Sequence, residues 1–161
     1  MKNLTMKVNE YRVLNTQNGL KLKTIRTNME FELDIMNYNQ SLADFMNKYY
    51  DMEDLNVETM YCIAIDPMCM PLGIIQIGQG NETRMTLSDR LSVQFLGCLK
   101  ADRVVYIHNH PTCVRTTSDQ FSEIDKNHLK NLQQMFKTLG CSIYEYLIVY
   151  KNGVKALEGE E

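Results

Sequence analysis

The chain has 161 residues, enough for one domain with its own apolar core and no need of disulfide staples. Apolar residues make up 44% and charged residues 23%, an ordinary balance for a folded globular chain that excludes wholesale disorder. A net charge of −3 withholds the basic footprint of most nucleic-acid binders, and no apolar run reaches the roughly 18 residues of a membrane span.

In chain order, residues 1–7 hold no apolar segment of signal-peptide type. Residues 8–14 and 20–26 predict two strands about the turn signal Asn18-Gly19. Their charges are interleaved, so the hairpin is expected as an exposed edge or arm, with 29–39 as a connector. Ser41 with Asp44 resembles a capping box. It would open a helix over 41–52 in which Leu42, Phe45, Met46 and Tyr49 form one apolar stripe. Residues 60–65 and 72–77 predict strands joined at Asp66-Pro67. A second helix starts at Ser88, where Asp89 suits the positive end of the helix dipole and Leu91, Phe95 and Leu99 share a face. Residues 103–108 predict a short strand. A third helix spans 123–139, with Ile124, Leu132, Phe136 and Leu139 in phase and Gly140 as terminator. Residues 143–150 predict a strand, and Lys151-Asn152-Gly153 turns into a last short one. The expectation is an α/β fold, a mixed sheet flanked by helices. Residues 1–40 would supply a hairpin and connector, and 41–161 the main domain.

Five cysteines (Cys62, Cys69, Cys98, Cys113 and Cys141) form no Cys-x-x-Cys pair and suit a reducing compartment, so the cytoplasm is expected. Cys62, Cys98 and Cys141 stand among apolar neighbours and read as small buried hydrophobes.

The chemistry gathers at Ile107-His108-Asn109-His110-Pro111. Alternate side chains of a strand share a face, so His108 and His110 point the same way. Pro111 cannot donate to a ladder and should end the strand, leaving the pair at its mouth. Asp125 lies in the first turn of the third helix and offers a carboxylate. Two imidazoles and one carboxylate leave a fourth tetrahedral position for water, as in catalytic zinc sites. The other reading of the pair is a surface His-x-His with no metal, and Asp119 is the competing acid. His128 reads as a solvent-facing helix residue.

His108-x-His110-Pro111 followed by Ser122-x-x-Asp125 resembles the JAMM signature of JAB/MPN zinc metallopeptidases. The phrase Ile107-His108-Asn109-His110-Pro111 is closest to their RadC-like branch. The segment from Glu58 to Asp66 resembles the branch's first core strand, and Ile77-Gly78, Leu139-Gly140 and Tyr146-Leu147-Ile148-Val149 resemble later elements. The likeness covers about residues 41 to 151. It implies a deaminase-like α/β sandwich with one zinc held by His108, His110 and Asp125. It further implies Ser122 as the hydroxyl that helps hold water or oxyanion, and Glu58 as general base. The gap from Pro111 to Phe121 is longer than the family pattern, and its loop Thr112 to Phe121, containing Cys113 and Ser118, is expected to shape substrate access.

Three functions follow. The first is a zinc peptidase or isopeptidase acting on an extended tail, such as that of a ubiquitin-like protein or its conjugate. The second is a RadC-like accessory protein of DNA repair or mobile elements without peptidase activity. The acidic balance counts against direct nucleic-acid contact. The third, a nucleobase deaminase, lacks the Pro-Cys-x-x-Cys ligand pair.

Overall fold

The computed structural model describes residues 3–81, 84–111 and 120–159. The strands β1 (Leu4–Thr16) and β2 (Gly19–Leu33) form an antiparallel hairpin. Gly19 takes φ +104°, a conformation open to glycine, and the Thr16 hydroxyl donates to Gly19 O at 2.8 Å. Both strands run longer than the interleaved charges suggest. Met29, Phe31 and Leu33 alternate with Glu30 and Glu32, and the three apolar residues are buried together with Val8. Residues 29–33 are therefore strand rather than connector. The base of the hairpin lies in the core, while Leu14 and Leu20 at its tip are exposed.

A short 3-10 helix, Ile35–Asn37, leads into α1 (Tyr38–Tyr50). The expected capping box at Ser41 does not form, because the helix begins a turn earlier. Ser41 instead donates back to Asn37 O at 3.1 Å and accepts from Asp34 N–H. The apolar stripe keeps its phase, and Leu42, Phe45 and Met46 are buried.

The remaining elements are β3 (Glu58–Ile65), β4 (Pro71–Asn81), β5 (Arg84–Leu87), α2 (Asp89–Leu99), β6 (Arg103–Asn109), α3 (Glu123–Leu139), β7 (Ser142–Tyr150) and β8 (Gly153–Ala156). The strands pair in the order β2-β1-β4-β3-β6-β7-β8, with β5 beside β4. β6 and β7 are parallel, with α3 as the crossover between them, and β3 is antiparallel to both β4 and β6. The chain is a single α/β domain with a mixed sheet.

The central strands bury both faces, so they read as continuous apolar runs. On one face Tyr61, Ile63, Val105 and Ile107 pack with α1 and the hairpin base. On the other, Met60, Cys62, Val104 and Tyr106 pack with Phe95 of α2 and Leu132 and Phe136 of α3. Cys62 is buried as expected, whereas Cys98 and Cys141 are only partly covered, and these three and Cys69 are free thiols. No described helix is long and apolar enough to cross a membrane.

Candidate metal centre

His108 follows Val104 and Tyr106 on the α3 side of β6, in register with Met60 of β3. Two residues before Met60, Glu58 therefore opens β3 on that same side. Past Asn109 the chain is still tied to β7, with His110 N–H donating to Val149 O at 3.0 Å. Pro111 has no N–H, so the strand stops where the sequence places its end.

The third carboxylate is set by a helix cap. Ser122 is the N-cap of α3, and its hydroxyl accepts from Asp125 N–H at 3.1 Å. Asp125 Oδ2 accepts in return from Ser122 N–H at 2.8 Å and from the Ser122 hydroxyl at 2.9 Å. One carboxylate oxygen is thus committed to the cap, and Oδ1 remains on the side of His108.

Four residues converge. His108 Nε2 lies 3.1 Å from His110 Nε2, 3.1 Å from Asp125 Oδ1 and 3.7 Å from Glu58 Oε1. His110 Nε2 lies 3.4 Å from Asp125 Oδ2. One ligand atom from each of the four residues lies within 4.8 Å of every other. The donor set fits a metal. A tetrahedral zinc with bonds of about 2.0–2.1 Å has ligand–ligand edges of about 3.3 Å, close to the 3.1 Å separations observed. Two imidazole nitrogens and a buried carboxylate suit zinc chemically.

Electrostatics at the two acids differ. Burial pushes the Asp125 carboxyl up, but hydrogen bonds from His108 and His110, the charge of His108 and the Ser122 N–H outweigh it and hold Asp125 well below the usual range. Burial lifts Glu58 above the ordinary carboxylate value, the charges of His108 and His110 offset this in part, and Asp125 adds to it.

Beneath the cluster lies a chain of side chains that the sequence pattern missed. His128 is buried rather than solvent-facing. Its Nε2 sits 2.8 Å from Asp89 Oδ1 and its Nδ1 2.9 Å from the Tyr146 hydroxyl. A carboxylate can only accept, so Nε2 carries the proton, and Nδ1 shares a hydrogen bond with the Tyr146 hydroxyl. Tyr146 in turn presents its ring edge-on to His108, with centroids 5.6 Å apart. His108 Nδ1 is buried without a hydrogen-bond partner among the described residues, so packing against Tyr146 orients the ring. The signal in the sequence was the spacing of Asp125, Leu129, Leu132 and Phe136, which puts His128 beside the buried stripe of α3.

The structure thus brings Glu58, His108, His110, Ser122 and Asp125 together. Cys113, Ser118 and Asp119 lie outside the described residues, as does most of the long segment after Pro111. Compared with known proteins, residues 36–161 match the model of the RadC-like JAB domain. No curated protein matches the chain. The match takes in every residue of the cluster and every element from α1 onward, and on that ground the chain belongs to the RadC-like JAB domain family.

Proposed function

We propose that this chain is a zinc-dependent hydrolase of JAMM type, cutting a peptide or isopeptide bond in an extended protein tail such as that of a ubiquitin-like protein. The observation that carries this reading is the convergence of two imidazoles, a buried carboxylate and a second carboxylate that is not needed as a ligand. His108, His110 and Asp125 would hold the ion through Nε2, Nε2 and Oδ1. Bound zinc supplies Lewis-acid polarisation and a water of lowered pKa. Glu58 Oε1 takes the proton from the attacking water and delivers it to the leaving nitrogen. Ser122 orients Asp125 through the cap, and it can donate to an oxyanion only by turning its hydroxyl away from Oδ2. The free thiols agree with work in a reducing compartment, the cytoplasm.

One observation favours a second reading, a RadC-like accessory protein without turnover: the Ser122 hydroxyl is already spent within the helix cap.

The test combines metal analysis with one conservative variant. Purified protein should hold about one zinc, the stoichiometry of a three-ligand site, and a His108→Ala, His110→Ala double variant should hold none. Full retention of zinc by that variant overturns the ligand assignment. Glu58→Gln should keep fold and zinc but lower peptide or isopeptide turnover by roughly 10²–10⁴-fold. Normal turnover in Glu58→Gln removes its role as base. A zinc-loaded wild type inert on all tails decides for the accessory reading.

A further inference from the structure

The ladder between β3 and β6 ends at Met60 opposite His108. Beyond it the β3–β6 register does not continue, while β6 stays paired to β7, where His110 N–H donates to Val149 O. The first residues of β3 keep β4 on one side, with Glu58 opposite Gly80 and Thr59 opposite Gln79. On the other side their register with β6 has ended. Asn109 fills the gap with its side chain. Its Oδ1 accepts from Thr59 N–H at 2.7 Å, and its Nδ2 donates to Val57 O at 3.1 Å. The residue is fully buried. A carboxamide presents one acceptor and a donor in a plane, as a peptide unit does, so it extends the β3–β6 pairing past the last register pair.

The two anchored residues, 57 and 59, flank Glu58. A strand side chain points where its backbone sends it, so this clamp sets the direction of the Glu58 carboxylate, 3.7 Å from His108 Nε2. Asn109 lies between the two histidines in sequence, but its side chain reaches across to β3. One tripeptide therefore carries two ligand candidates and the group that aims the acid.

We infer that Asn109 is a positioning residue whose carboxamide clamps the backbone on both sides of Glu58 and holds its carboxylate at the metal centre. What Glu58 does there rests on the hydrolase reading, whereas where it is held does not.

The first measurement is amide hydrogen exchange in the metal-free chain. Asn109→Ala should speed exchange of the Thr59 amide by roughly ten- to a hundredfold, the worth of a hydrogen bond to a buried group. The amides of Cys62 and Ile63, in the middle of the ladder, should be unchanged. Unaltered Thr59 exchange overturns the inference. The second measurement loads cobalt(II) and follows the side-chain carbon signals of Glu58. Asn109→Ala should keep the metal but lose much of the paramagnetic shift at Glu58, and a full shift overturns the positioning role. Asn109→Asp retains the acceptor for Thr59 and loses only the donor to Val57. Thr59 should stay protected in Asn109→Asp with a smaller loss of shift, and an undiminished shift in that variant again overturns the role. With peptide turnover as readout, Asn109→Ala should lower kcat with KM little changed and add no further loss to Glu58→Gln, whereas additive losses overturn it. A wild type that binds no cobalt or cleaves nothing removes the hydrolase reading, while the exchange rates still decide the clamp.

Discussion

His128 shows how a polar residue can be buried when its partners come from other elements. It lies on α3, Asp89 on α2 and Tyr146 on β7, and the three meet beside the ring of His108. Desolvation by burial raises the Tyr146 hydroxyl above its ordinary value, so it stays protonated. Removing His128 would leave that hydroxyl buried and unpaired, at a cost of about 1–3 kcal/mol. His128→Ala should therefore lower the stability measured by chemical denaturation. Tyr146→Phe removes the hydroxyl together with the bond, so in its background the His128→Ala penalty should shrink. Strict additivity of the two changes would show that the bond contributes nothing. On the sequence His128 has no such partners in view, which is why helical spacing alone assigned it to solvent.

At the level of elements, α3 carries the clearest lesson. Its limits, Glu123–Leu139, and its terminator Gly140 at φ +70° agree with the pattern of the chain. Its phase does not. Ile124 and Leu139 were expected in the stripe, but they are 69% and 50% exposed. The buried face runs through Asp125, His128, Leu129, Leu132 and Phe136. Two of its first three positions are polar, and an apolar count cannot find a face that opens with a metal-centre residue. The same polar start does double duty, since the cap that begins the helix also orients Asp125. Ser122→Ala should cost about 0.5–2 kcal/mol through the lost cap. It should also weaken zinc binding by roughly 10–100-fold, the effect of losing a partner that orients a ligand. Thermal melting and chelator competition would measure the two effects. A melting shift with unchanged zinc affinity would confine Ser122 to the helix.

At the scale of the whole molecule, the hairpin decides how the core closes. The family match begins at residue 36, yet Val8, Met29, Phe31 and Leu33 pack with Phe45 and Met46 of α1. Phe31 meets Phe45 edge-on, with centroids 5.6 Å apart. Truncating a fully buried phenylalanine costs about 3–5 kcal/mol, so Phe31→Ala should shift the denaturation midpoint of the entire chain. A negligible shift would mean that the hairpin is an appendage. Much of the architecture was legible beforehand because its causes are local. Short apolar runs and turn residues marked the strands, Ser88 marked one helix start, and strand parity put His108 and His110 on one side. The place of Asp125 in the first turn of α3 is local as well, which is why His108, His110 and Asp125 could be named from residue types and spacing. What required the tertiary structure depends on contacts far apart in the chain. The docking of β1 on β4, the Asp89–His128–Tyr146 chain and the reach of Asn109 to Val57 and Thr59 each join segments separated by tens of residues. Periodicity reports only which face of its own element a residue occupies, and the partner on the other side of that face is chosen by the packing of the whole fold.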